Sequence, residues 1–211
     1  IFWPNITKLP RFSWDDKGYF INDKGYILST DDRALLAVLQ SRVCWFVISR
    51  LCTPLRLRAG LWQYQLFAQF IERLPIPQMT PDDQRALATL AERITETARG
   101  RYALDTKMRH RMADLVPTGK SLNRKLTAWW LLDFTALRAE LKKTYKQDVP
   151  LRDRDDWEAV WKERRREHEE LTAIIVAGES EMNERVYSLF NLDRGEIHLI
   201  EEETKYAYGE V

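Results

Sequence analysis

Residues 74–83 read Leu-Pro-Ile-Pro-Gln-Met-Thr-Pro-Asp-Asp, and this stretch decides how the chain divides. Pro75 and Pro77 fix φ at two nearby positions and remove two backbone donors, so neither a helix nor a central strand runs through them. Thr80-Pro81-Asp82-Asp83 then starts a helix, with Thr80 as N-cap, Pro81 at the first helical position and Asp83 at the third. Its apolar face is Ala86, Leu87, Leu90, Ala91, Ile94 and Ala98, and Gly100 is expected to end it. The reading is an α+β chain. A small mixed α/β lobe covers 1–77, and a mostly α-helical lobe with one long coiled-coil-like helix covers 78–192. An acidic tail covers 193–211.

Before the boundary, Tyr19 to Ile21 and Tyr26 to Leu28 flank Asn22-Asp23-Lys24-Gly25, which predicts a hairpin. Ser29 to Asp32 resembles a capping box and opens a helix running towards Ile48. Leu55-Arg56-Leu57-Arg58 alternates with period two and predicts a short strand, its leucines in the core, broken at Gly60. Beyond Gly100 the chain reads as helical. Leu122, Leu126, Trp129 and Trp130 share a face, and Leu137 and Leu141 mark a short helix that Pro150 stops. Trp157, Trp161, Arg164, His168, Leu171 and Ile175 alternate at spacings of four and three along a long helix to about Ala177. No apolar residue occurs between Arg164 and Glu170, so the middle of that helix is expected to be bare. Ser180 is read as the cap of a last helix, and Glu201 to Glu203 as exposed.

Hydrophobic residues make up 45% of the 211 and charged residues 31%, a balance typical of folded chains. The longest apolar runs, 34–39 and 43–48, fall well short of the roughly 18 residues of a membrane-spanning helix. The chain opens at Ile1 with no charged-then-apolar leader and reads as a segment of something longer. Its two cysteines, Cys44 and Cys52, exclude a disulfide framework and predict a reducing, cytoplasmic setting. The eight glycines nowhere form Gly-x-Gly, which removes dinucleotide fingerprints and phosphate-cradling loops.

Charge is unevenly placed. Residues 1–77 carry 10 Lys/Arg against 6 Asp/Glu, and 101–125 carry 7 against 2, whereas 193–211 carry 2 against 6. A basic first half suggests a polyanionic partner. There the cations interleave with aromatic and amide groups: Lys8, Arg11, Trp14, Lys17, Tyr19, Lys24 and Tyr26, then Arg56, Arg58, Trp62, Gln63, Tyr64 and Gln65. Arg and Gln match guanine and adenine edges in the major groove, and Lys favours phosphates. Arg109, Arg111, Lys120, Arg124 and Lys125 form a second basic stretch suited to phosphates. The competing reading is core aromatics beside solvated charges, with Arg56 and Arg58 salt-bridged to Asp15 or Asp16.

Catalytic patterns are sparse. His110, His168 and His198 have no partner at metal-ligand spacing. Asp133 with Glu140-Leu141-Lys142 matches the spacing of a Mg²⁺-dependent nuclease, but such a site needs paired strands and 136–143 is helix-forming. No Asn-Pro or Asp-Pro dipeptide supplies the loop that adenine methylases use to hold the flipped amine. The sequence predicts neither a catalytic residue nor a metal site.

The order of segments resembles the TaqI-like specificity domain of restriction–modification enzymes. The resemblance is carried by Ile1-Phe2-Trp3-Pro4, Arg11-Phe12 and Tyr26-Ile27-Leu28. It continues in Ala34-Leu35-Leu36-Ala37-Val38-Leu39-Gln40-Ser41, similar to the family's LLAxLNS with Gln40 in place of Asn, and in the closing Gln69 to Pro77. Leu122 to Leu126, Trp129 to Phe134, Arg138 to Lys143 and Glu181 to Leu192 look like the carboxyl end of large single-chain adenine-specific DNA methyltransferases and restriction enzymes. The resemblance implies a target-recognition segment that binds double-stranded DNA. Amino-terminal domains would methylate adenine from S-adenosylmethionine, and Mg²⁺ would serve any nuclease, in restriction and phage defence. The alternative is a helical protein-interaction or scaffold module without DNA contact.

Overall fold

The computed structural model describes residues 1–210. Two short strands open the chain, β1 (Phe2–Pro4) and β2 (Ile6–Thr7), and a third, β3, covers Gly25–Ile27. β3 pairs antiparallel with β1, Trp3 opposite Tyr26, and this corrects the hairpin expected between 19–21 and 26–28. The Trp3 ring stacks on Tyr26 at 5.5 Å and packs on Phe12 at 5.7 Å. Burying those aromatics puts β1 in the partner position and leaves Tyr19 to Ile21 in a loop.

Asp32, rather than Ser29, caps α1 (Arg33–Gln40), its carboxylate accepting from the Ala34 and Leu35 amides. The single helix expected towards Ile48 is two: α2 (Arg42–Leu51) leaves α1 at a 64° bend. Ser41 makes the break. Its backbone is extended, and its hydroxyl donates to the Val38 carbonyl and accepts from the Cys44 amide. After α2 come β4 (Thr53–Arg58) and β5 (Leu61–Gln65), which join β2 in an antiparallel sheet of order β2-β5-β4. A single turn, α3 (Ala68–Ile71), leads to the Pro75–Pro77 segment.

No helix or strand crosses 74–80, and every strand among the described residues precedes it. α4 (Pro81–Ala113) starts with the expected reciprocal cap: the Asp83 amide donates to Thr80 Oγ1 and the Thr80 amide to Asp83 Oδ2. It runs straight through Gly100, where an end was expected, because the helix-forming residues beyond it bury Leu104, Met108 and Met112. Next come α5 (Arg124–Thr127), a 3₁₀ turn over 129–131 and α6 (Phe134–Tyr145), which Lys146 ends in the left-handed conformation at φ 59°. A second 3₁₀ turn over 151–153 follows Pro150.

α7 (Arg154–Leu189) is continuous, so Ser180 lies inside it rather than capping a new helix. Its middle is not bare either, since His168 is buried in the packing described below. The segment expected as an acidic tail contains α8 (Arg194–Thr204), started by a capping box between Asp193 and Glu196. Glu201 is only half-exposed; Ile200 and Thr204, on the same helix, are buried.

The chain forms two compact units, and their limits differ from the sequence lobes: residues 1–95 with the chain from Ile175 onward, and residues 96–174. The first unit is built on Trp3, Phe12, Val38, Trp45, Ile48 and Leu66, with Leu87 and Leu90 of α4, Met182 and Val186 of α7, and Ile200 of α8 packed against them. The second is built on Met108, Met112, Leu126, Trp129, Leu137, Leu141 and Trp161. Among the described residues no single helix is long and apolar enough to cross a membrane.

Candidate nucleic-acid interface

β4 and β5 form a two-stranded ribbon closed by Ala59 and Gly60, both at positive φ (51° and 80°), as a two-residue turn of matching twist requires. Arg56 lies opposite Gln63, Leu57 opposite Trp62 and Arg58 opposite Leu61. An irregularity between Pro54 and Arg56 leaves Leu55 as the extra residue. Since paired residues share a face and neighbours alternate, Arg56, Arg58, Gln63 and Gln65 fall on one side of the ribbon. Tyr64, on the other side, packs edge-on against Trp45 at 5.7 Å and ties the base of the ribbon to the core.

Every residue of β4 is exposed, which corrects the expectation that Leu55 and Leu57 anchor the core: they are 43% and 58% accessible, and Trp62 is 48%. The ribbon extends beyond the residues it could pack on. Arg56 Nε donates to Gln63 Oε1 at 2.7 Å, so the guanidinium and the amide are joined across the two strands. Arg58 has no ion-pair or side-chain hydrogen-bond partner among the described residues. Asp15 is not the partner of either arginine, because its carboxylate accepts from the amides of Lys17, Gly18 and Tyr19.

The other basic residues of the first unit divide. Arg11 and Lys24 both line a groove of about 580 Å³. Lys8 is half-buried and Lys17 sits exposed on a loop, and neither lines the ribbon or the groove. In the second unit, Lys120 and Arg124 are exposed and Arg111 is half-buried. Arg109 donates to the Thr127 carbonyl at 3.2 Å, and Lys125 pairs with Glu140 at 3.5 Å, so these two are partly committed to local structure.

The nuclease-like residues are likewise occupied. Asp133 caps α6 through the Ala136 amide. Glu140 accepts from Asn123 Nδ2 and Thr144 Oγ1, which hold its carboxyl below the usual range. Lys142 lies 3.2 Å from Asp148, which also accepts from Arg138 and Arg154; hydrogen bonding to Arg138, then to Lys142, pushes the Asp148 carboxyl far down. Among the described residues no cluster of His, Cys, Asp and Glu is placed to hold a metal ion. Burial pushes the Cys44 thiol up to about 12 and the Cys52 thiol up to about 11, so both are protonated and poor nucleophiles.

Sequence reasoning missed Phe20. It stands fully exposed, 102% accessible, with Tyr19 and Ile21 beside it also accessible. The signal was present. Asp16-Lys17-Gly18-Tyr19 and Asp23-Lys24-Gly25-Tyr26 repeat one turn-forming pattern, and three residues between two turns are too few for a paired strand.

Residues 80–186 match the family described as Domain of unknown function (DUF8810). The chain belongs to this family. The DUF8810 region opens at the N-cap of α4 and closes inside α7, so the β4–β5 ribbon lies outside it. No curated protein and no solved structure matches the chain.

Proposed function

We propose that this chain is a DNA target-recognition segment that holds duplex DNA for N6-adenine methylation by amino-terminal domains of the same protein. The observation that carries the reading is the Arg56–Gln63 pair on an exposed two-stranded ribbon with Arg58 beside it. A ribbon of two strands fits the major groove, and its guanidinium and amide groups match guanine and adenine edges there. The uneven charge and the resemblance of residues 1–77 to specificity domains support the same reading.

S-adenosylmethionine does not fit the residues present. Gly18, Gly60, Gly119 and Gly209 occupy separate turns at positive φ, and none belongs to a glycine-rich loop opening a helix. Methyl transfer, and any Mg²⁺-dependent cleavage, therefore belong in this reading to the amino-terminal domains, in a cytoplasmic enzyme.

Selection from a randomised duplex pool tests the reading. Arg56→Ala should relax preference at one base position and cost roughly 1–3 kcal/mol there. Arg58→Ala should do the same if it reads a base, or weaken all sequences alike if it holds a phosphate. Unchanged affinity and unchanged preference in both variants would remove the ribbon from DNA recognition.

A further inference from the structure

Phe20 lines the same groove as Arg11 and Lys24. The loop that carries it is pinned at both ends. Asp15 accepts the Lys17, Gly18 and Tyr19 amides on one side, and Asn22 Oδ1 accepts the Lys24 amide on the other. An aromatic ring is therefore presented to solvent from a fixed backbone. The lining also includes Phe2, and its polar side chains are Arg11, Ser13, Asn22, Lys24 and Gln40, with no carboxylate among them. Gln40 is oriented from inside, its Oε1 accepting the Phe12 amide at 3.2 Å. The concavity on the far side of Phe20 is the reverse, lined by Asp15, Asp16 and Asp31 with Arg33 as its one cationic side chain. One face of the Phe20 loop is thus cationic and amide-bearing, and the other is acidic.

We propose that the cationic groove takes one unstacked nucleotide of the bound duplex. Phe20 stacks on the base, Asn22 and Gln40 meet its polar edge, and Arg11 and Lys24 hold the flanking phosphate. This rests on the DNA-binding reading and deepens it. An aromatic face accepts any base, amides discriminate only at its edge, and cations track the backbone. The groove's volume is ample for one nucleotide. Lys24 pairs with Asp23, whereas Arg11 has no ion-pair partner among the described residues, so Arg11 is the stronger phosphate ligand of the two.

The test compares the chain on an intact duplex and on the same duplex with one bulged 2-aminopurine. Wild type should bind the bulged duplex roughly five- to a hundredfold more tightly and quench its fluorescence. Phe20→Ala should lose both the preference and the quenching, and Phe20→Trp should restore them. Because the ring is fully exposed, the substitution should leave thermal unfolding unchanged. Arg56→Ala with Arg58→Ala should weaken both duplexes equally and so reports on the DNA reading separately. A preference that survives in Phe20→Ala, or is absent in wild type, would overturn the groove assignment while leaving the ribbon's role intact. Deoxyadenosine monophosphate binding as tightly as the bulged duplex would overturn it too, and binding to neither duplex would overturn both readings.

Discussion

Arg42 Nε lies 3.1 Å from Glu201 Oε2, an ion pair that joins α2, near the start of the chain, to α8, near its end. The arginine is only 5% accessible and the glutamate 32%. The other guanidinium nitrogens donate to Thr204 Oγ1 at 2.8 Å and the Tyr206 carbonyl at 2.6 Å, and the rings of Tyr206 and Tyr208 lie over the same cation. Glu201 Oε1 accepts from the hydroxyls of Tyr187 and Tyr208. Burial and that carboxylate push the Tyr208 phenol up to about 12 and the Tyr187 phenol further, so both remain donors across the physiological range.

Removing one member of such a buried pair leaves the other without its partner. Arg42→Ala should therefore destabilise the chain by about 3 kcal/mol in urea titration. Glu201→Gln keeps an acceptor for the two tyrosines and should cost about half as much. Proteolysis in the Arg42→Ala variant should begin near α8, which loses its principal contact with α2.

His168 stacks on the Trp130 ring at 4.6 Å and 10°, with Trp129 edge-on at 5.6 Å and Asp105 Oδ1 3.6 Å from Nε2. Asp105 also accepts from Trp129 Nε1. Burial lowers the His168 pKa below its ordinary value of 6.5, with Asp105 opposing in part. The unfolded chain then binds the proton more readily than the folded one. Stability should be fully present above pH 6.5 and fall as pH drops below it, by at most about 1.4 kcal/mol per pH unit. His168→Phe retains a ring on Trp130 and should flatten that part of the pH–stability curve between pH 7 and 5.

Two helical glycines should respond in opposite directions. A Cβ at Gly100 meets nothing within 4 Å, so Gly100→Ala should raise stability by up to about 1 kcal/mol through helix propensity. A Cβ at Gly178 would lie 2.8 Å from Ile94 Cγ1, so Gly178→Ala should cost about 1–2 kcal/mol net. Combining Gly178→Ala with Ile94→Ala should cost less than the sum of the two, because the second removes the atoms the first strikes.

Local rules were legible in the sequence where they act over a few residues. The Thr80–Asp83 cap, the break at Pro75 and Pro77, and the mixed-then-helical order could all be read directly. Features set by distant packing could not. Gly100 and Ser180 look like helix ends until Met108 and Met182 are seen buried on the far sides of them. His168 lies in a run with no apolar residue, yet the two tryptophans of 129–130 cover it. The alternation of 55–58 gives a strand correctly, but alternation alone does not say whether a core lies beneath either face. Glu201 looked like part of a solvated tail because its partner is 159 positions away, at Arg42. At the candidate interface, residue types were legible and grouping was not: Arg56 with Gln63 and Arg11 with Lys24 separate into a ribbon and a groove only once β1 has displaced Tyr19 to Ile21 from β3.

The most direct test of the DNA reading is the affinity of the chain for duplex DNA as a function of salt. Each phosphate contact contributes close to one unit of slope in log affinity against log salt. Wild type should show a steep negative slope, and the Arg56→Ala/Arg58→Ala double variant should be shallower by about two units if both arginines hold phosphates, or by about one if the other reads a base. No measurable binding at low salt, or a double variant unchanged in affinity, in sequence preference and in salt slope, would contradict the account.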